Sequence, residues 1–243
     1  MDTSKADEKL RKEFNEWAAA GRGEEMERHH ISIAEQTIAR MAPARGERVL
    51  DLGCGAGWAT RILARAVAGK GEKGQEGQAV GIDIADDMIA RARAASRELE
   101  NIMFVWGSAQ EIPWRDEYFD KVLSIESFYY YAEQEPVLRE LLRVLVPGGR
   151  LFILINLYKE NHYSLRWVEE LAVPVHARSE NEYTEMLKQA GFEDVQALRI
   201  PDLTPTPDEY SGQWFKNAEE LRDFKRIGAL LLLGRRPPST TEA

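Results

Sequence analysis

The chain has 243 residues, 44% hydrophobic and 30% charged, the proportions of an ordinary globular protein rather than a disordered one. Its formal net charge of −9 argues against broad electrostatic attachment to nucleic acid or to an anionic membrane surface. Cys54, the one cysteine, can close no disulfide within the chain; residues 1–14 lack the apolar stretch of a secretion signal, and no segment reaches membrane-spanning length. A cytoplasmic protein without membrane insertion is the expectation.

Residues 4–20 read as an amphipathic helix: Leu10, Phe14 and Trp17 recur at helical spacing, and Gly21 and Gly23 end it. A second helix is predicted over 24–41, with Met26, His30, Ile33, Ala34, Thr37, Ile38 and Met41 on one stripe, and Pro43 stops it. The pattern then changes to short apolar runs bounded by turn residues: "RVLDLG", "AVGIDI", "IMFVWG", "DKVLSIES" and "RLFILIN". Helical stretches separate most of them, as in buried parallel strands joined by crossover helices. In "EQEPVLRELLRVLVPGGR", Pro136 suits a first helical turn, Leu138, Leu141, Leu142 and Leu145 share a stripe, and Pro147-Gly148-Gly149 is the stop. Residues 69–78 predict a flexible, solvated polar loop. An irregular aromatic passage follows over 157–175, then a helix near 181–190. "FEDVQALRI" and "GALLLLGRR" predict two more strands, separated by a Pro-rich loop that leads into a short helix. Residues 237–243 read as a disordered tail.

"VLDLGCGAG" ends a predicted strand in glycines and opens a helix, which sets backbone N–H groups and a helix N-terminus against a ligand. A tight turn with no ligand is the alternative. The dinucleotide fingerprint G-x-G-x-x-G fails, because Trp58 stands where its third glycine would fall, and no Gly-Lys-Ser/Thr follows to make a P-loop. What stands is Asp51-x-Gly53-x-Gly55-x-Gly57, whose carboxylate repels a pyrophosphate and attracts a cation. One strand further on, "VGIDI" ends in Asp83, placed to accept hydrogen bonds from two ribose hydroxyls. Asp86 and Asp87 read as charges favouring the N-terminus of the next helix.

Together "VLDLGCGAG", "GIDIADDMIARAR", "FVWGSAQEIPWRDEYFDKVLSIES" and "LLRVLVPGGRLFIL", in that order over about residues 45–156, resemble the class I S-adenosylmethionine-dependent methyltransferases. The likeness is to the subgroup that includes ubiquinone and menaquinone C-methyltransferases. It implies an α/β, Rossmann-like fold: a seven-stranded, mostly parallel sheet with helices on both faces and the last strand antiparallel. It also implies S-adenosylmethionine as cofactor and S-adenosylhomocysteine as product. By resemblance, the Asp51, Gly53, Cys54, Gly55 and Gly57 loop holds the methionine part and Asp83 the ribose. Ile84 and Met88 pack on adenine, Ser108 and Ala109 meet its edge, and a backbone carbonyl of the 124–126 stretch (Ser124, Ile125) meets the amino group. Ser108 departs from the family, many of whose members have an acid there, "GDAE" against "GSAQ" here. One domain is expected: N-terminal helices as a cap over 1–45, a cofactor-binding core over 46–156, a substrate-side insert with the last strands over 157–236, and the tail.

In-line methyl transfer needs alignment, which can lower a barrier by roughly 7–11 kcal/mol. The four histidines and one cysteine show no metal-ligand spacing. An acceptor that must lose a proton needs a base, and His162 is the first choice, with Glu126 and Tyr129 as further catalytic candidates. Glu126 belongs to "ESFYYYAEQ", where Phe128, Tyr129, Tyr130 and Tyr131 cannot all face one core, so at least one tyrosine lines the pocket. Asn156, Tyr158, Tyr163 and Trp167 come from the passage after the fifth strand. His30 reads as a buried or pocket-edge residue and Cys54 as a small residue in a tight turn. The expected partner is a small organic methyl acceptor with an apolar or aromatic portion, not nucleic acid; neither a Lys/Arg stripe nor an Asn-Pro-Pro-Tyr motif is present. A non-catalytic, cofactor-binding scaffold is the alternative, and a nicotinamide oxidoreductase is the class that Trp58 weakens.

Overall fold

Two helices open the chain in the computed structural model, which describes residues 3–72, 74–212 and 214–239. They are α1 (Thr3–Ala19) and α2 (Arg22–Met41), jointed at Gly21, whose φ of 73° glycine adopts without a Cβ penalty. Alternating units follow: β1 (Arg48–Leu52), α3 (Trp58–Val67), β2 (Gln78–Asp83), α4 (Asp86–Ala95), β3 (Ile102–Trp106), β4 (Phe119–Ile125), α5 (Gln134–Val144) and β5 (Leu145–Ile155). The chain finishes with the short α6 (Trp167–Glu170), α7 (Glu180–Gln189), β6 (Glu193–Ile200), α8 (Ala218–Ile227) and β7 (Ala229–Arg235).

All seven strands form one sheet in the order β3-β2-β1-β4-β5-β7-β6. β7 runs antiparallel to both of its neighbours, and the other pairs are parallel, as the family resemblance implies. The strands read as continuous apolar runs because both faces are covered. Leu50, Val80, Leu151 and Ile153 pack on one face with Leu138 and Leu141 of α5 and Tyr183 and Leu187 of α7. Val49, Ala79, Phe152 and Leu154 pack on the other with Ile33 and Ile38 of α2 and Leu63 and Val67 of α3. Helix starts are fixed locally: Ser179 and Glu182 form a reciprocal capping box on α7, and Asn217 caps α8.

Two stretches differ from expectation. The fifth helix ends at Val144, and Leu145, predicted to be on its stripe, instead begins β5 opposite Phe119. The strand then bows around Pro147-Gly148-Gly149, where Pro147 has no N–H to give a ladder and Gly148 takes a φ of 79°. The described residues of the 69–78 segment are hydrogen-bonded to one another. Gly71 N–H donates to Gln75 O and Gly77 N–H to Gly69 O, each at 2.9 Å, folding it back on itself. Of the expected tail, residues 240–243 lie outside the described residues.

No helix among the described residues is long and apolar enough to cross a membrane. The strand order reverses at β1, between β2 and β4, and there the carboxyl ends of parallel strands leave a crevice.

Candidate active site

A cavity of about 1030 Å³, including its open mouth, lies over that crevice. Its floor comes from β1, β2, β4 and the glycine loop, and Leu10, Phe14 and Trp17 of α1 with Met26 and His30 of α2 close over it. Asp7, Asp51, Asp83 and Glu126 face this space, and no lysine or arginine is among the described residues lining it.

The three glycines of the loop differ in what they need. A Cβ on Gly53 (φ 75°) would fall 2.4 Å from Cβ and 2.5 Å from Oγ of Ser127. That serine is held by the protein itself: its Oγ donates to Leu52 O at 3.0 Å, so the Ser124 hydroxyl, 2.6 Å away, donates to it, as does Tyr131 OH at 3.1 Å. Gly55 (φ 50°) is the opposite case, because nothing lies within 4 Å of a Cβ built there. Its bare backbone faces open space, as a ligand cradle requires. Gly57 does not line the cavity; a Cβ there would strike the Phe104 ring at 2.5 Å, so packing on β3 excludes a side chain. Cys54 lines the wall, but burial pushes its thiol up, leaving it a protonated, small apolar group.

Asp83, at the end of β2, accepts Ala85 N–H on Oδ1 and Gly55 N–H on Oδ2, both at 2.8 Å. A carboxylate has about four acceptor sites, so two remain. Burial raises its pKa despite those bonds. Asp51 accepts the Thr60 hydroxyl at 2.6 Å, and burial, reinforced by the charge of Asp83, pushes it up to about 7. Asp51, buried, and Asp83, half-buried, stand in one wall with no lysine or arginine among its described lining, a costly arrangement that a bound cation relieves. Ile84, Met88, Ser108, Ala109 and Ile125 also line the cavity, whereas Ser124 faces its hydroxyl partner instead. Ser108 donates to Asp7 Oδ2 of α1 at 2.8 Å.

Glu126 follows β4 with a φ of 51°, uncommon for a residue with a Cβ and of the kind found at functional sites. Its Oε1 accepts Asn156 N–H at 2.6 Å and its Oε2 the Tyr129 hydroxyl at 3.0 Å. Burial pushes the carboxyl up to about 7. Nε2 of His30 approaches Oε2 to 3.8 Å, and burial, with the nearby His29, lowers the imidazole to about 4, so at neutral pH this contact is not an ion pair. Tyr130 and Tyr131 line the cavity, and Phe14 of α1 meets the Tyr130 ring edge-on at 5.0 Å. Tyr129 sits behind Glu126 and holds it.

His162, the first choice for a base, is not brought to the cavity. It is exposed and stacks on Tyr163 at 4.1 Å, while Tyr163 and Arg166 bond to Asp223 and Glu220 and turn the passage toward α8. Tyr158 donates to Gly228 O at 2.7 Å, and Trp167 packs on Trp214 and Phe224. His30 reaches the cavity, in keeping with the pocket-edge reading; Leu10, Phe14, Trp17 and Met26, which the sequence marks only as helix-packing, and Asp7, which it does not single out, reach it too. A signal was available for Asp7: it shares the helical stripe of Leu10, Phe14 and Trp17, where an acid is out of place.

A family model described as "Methyltransferase domain" matches residues 43–191. The chain is 30% identical over 198 residues to a demethylmenaquinone methyltransferase of Geobacillus kaustophilus (strain HTA426), covering 70% of this chain and 80% of that one. It is 31% identical over 189 residues to the 27-O-demethylrifamycin SV methyltransferase of Amycolatopsis mediterranei (strain S699), covering 72% and 66%. Some other curated relatives are matched over less than half of their own length. Among solved structures, a Haloferax volcanii methyltransferase in complex with the Trm112 methyltransferase activator is similar at a TM-score of 0.84 and 32% identity, over 93% of this chain and 98% of that one. Agreement in sequence across the sheet, and in structure across nearly the whole chain, puts it in the methyltransferase-domain family: it is a class I S-adenosylmethionine-dependent methyltransferase, similar in type to the menaquinone C-methyltransferases.

Proposed function

We propose that the cavity holds S-adenosylmethionine along the carboxyl ends of β1 and β2, and a small organic acceptor with an apolar or aromatic portion beneath α1 and α2. One observation carries this reading: the wall pairs buried carboxylates that lack a basic partner with an apolar and aromatic roof, which suits a cationic cofactor and an uncharged acceptor and gives a phosphate backbone nothing to bind. Asp83 would take the ribose hydroxyls on its two remaining acceptor sites, Gly55 the methionine part, Ile84 and Met88 the adenine faces. Ala109 would meet the adenine edge, and the Ile125 carbonyl the amino group. When bound, the cofactor supplies a methyl group already activated on sulfur. The chain's part is to balance charge with Asp51 and Asp83, to exclude water with Leu10, Phe14 and Trp17, and to align the acceptor against Tyr130 and Tyr131. Glu126, held by Tyr129 and Asn156, is then the base that accepts the acceptor's proton.

The two curated relatives are named for organic acceptors, a demethylmenaquinone and a demethylrifamycin, which supports the same class here. Incubation with methyl-labelled S-adenosylmethionine tests it against two pools: reduced quinones and phenols, and a macromolecular extract of RNA and protein. Label entering the small molecules is expected. Label entering only macromolecules overturns the acceptor assignment, and cofactor binding without any transfer would favour a scaffold.

A second reading has its own observation. The Haloferax neighbour was solved with an activator subunit, and here the edge strand β3 presents Met103 and Trp106 to solvent. An exposed apolar edge strand is a place for another chain to dock. We propose assembly with a Trm112-type activator on that basis; co-expression followed by size-exclusion chromatography tests it, and separate elution counts against it.

A further inference from the structure

We propose that Asp7, on the N-terminal helix, reads the amine edge of the cofactor's adenine, carrying in from α1 the acid that this chain lacks at Ser108. The inference rests on the cofactor placement given above and extends it to a residue outside the sheet.

Asp7 shares one helical face with Leu10, Phe14 and Trp17, and all four line the cavity. A carboxylate on such a stripe loses solvation unless polar partners meet it there. The Ser108 hydroxyl, donating to Oδ2 at 2.8 Å, fills one of about four acceptor sites. Ser108 is in turn steadied by Gln110 N–H at 3.3 Å. The carboxylate therefore sits at the end of β3, beside the stretch of wall formed by Ser108, Ala109, Ile84 and Met88. Adenine is the one part of the cofactor that suits this corner, because its exocyclic amine donates two hydrogen bonds next to a ring nitrogen that accepts one. A carboxylate takes the amine, and a backbone N–H such as that of Ala109 serves the ring nitrogen.

The helix that carries Asp7 is docked independently of any ligand. Arg11 Nε and Asn15 Nδ2 both donate to Asp86 Oδ1 at 2.8 Å, and Asn15 Oδ1 accepts Asp87 N–H at 3.2 Å. Ala18 is buried against Ala85 and Met88 of the α4 region, and Phe14 packs on Tyr130. Asp7 is thus delivered to a fixed position by a helix rather than by a loop. The consequence is base specificity. A 6-oxo purine turns an acceptor toward the carboxylate and is repelled, so the site discriminates S-adenosylhomocysteine from its deaminated analogue, S-inosylhomocysteine.

Titration calorimetry of both compounds tests this on the wild type, Asp7→Ala and the double variant Asp7→Ala/Ser108→Asp. The wild type is expected to prefer S-adenosylhomocysteine. Asp7→Ala should lose tenfold or more of that affinity, about 1.4 kcal/mol, with S-inosylhomocysteine changed less than threefold; returning an acid at position 108 should restore most of the loss. Unchanged S-adenosylhomocysteine affinity in Asp7→Ala overturns the proposal. So does an equal loss for both compounds, which would make Asp7 a docking residue only. Failure of the wild type to bind either compound would instead sink the cofactor placement on which the proposal rests.

Discussion

Asp83, half-buried, and Glu126, buried, are both acids at strand ends that line the cavity, yet their surroundings differ. Asp83 accepts the backbone N–H groups of Gly55 and Ala85 and still faces the cavity. Asp83→Ala should weaken S-adenosylhomocysteine binding at least tenfold, about 1.4 kcal/mol, and a calorimetric titration with unchanged affinity would remove it from the site. Glu126 has a φ of 51° and is gripped by Asn156 and Tyr129, which aims it at the roof side of the cavity rather than at the loop. Glu126→Gln keeps the shape and loses the base, so kcat should fall by roughly 10²–10⁴ while cofactor affinity stays within threefold. Parallel loss of both would show a structural role instead. The place of Asp83 at the cavity was legible because an acid ending an apolar run has few structural uses. His162 misled because a histidine in an irregular aromatic passage looks available, and only the bonds from Tyr163 and Arg166 to α8 show that the passage turns away.

At the scale of elements, α1 is the piece whose pattern and purpose separate most. Its stripe predicts an amphipathic helix, and the helix is there, but the face that packs on the edge of the core also roofs the cavity. Periodicity reports that a face is buried; it carries no label for what buries it. The contact that fixes α1 is Asp86 in the first turn of α4, legible only as a favourable charge at a helix start, whose carboxyl Arg11 and Asn15 hold far below the ordinary range. Asp86→Ala should loosen α1 without unfolding the sheet. Hydrogen exchange should then speed up in residues 5–19 and not in the strands, with a few-fold loss of cofactor affinity. Uniform exchange rates between variant and wild type would show that the apolar contacts of Leu10, Phe14 and Ala18 suffice.

Across the whole molecule, the buried acids leave a mark on stability. Asp51 and Glu126 have folded pKa values near 7, above their unfolded ones, so the folded state binds their protons more tightly. Their contribution is therefore full at low pH and is lost as pH rises through 7. His30, lowered to about 4, acts in the opposite sense only below its unfolded value of 6.5, so the decline shows cleanly above that. Without ligand, stability should fall by on the order of 1 kcal/mol between pH 6.5 and 7.5. Denaturant melts check this: Glu126→Gln should flatten the slope, and a rise with pH would contradict the burial of both groups. The linear string determined the strand runs, the glycine loop and the acid that ends β2, because strand periodicity, turn residues and an acid at a strand end act within a few positions of each other; the antiparallel last strand came from the resemblance to the family. Only tertiary structure decided that α1 roofs the cavity, that Asp7 meets Ser108 across 101 residues of chain, and that Glu126 rather than His162 lines the cavity. Those relations depend on how distant elements dock, and docking is set by shape and buried area that no local pattern records.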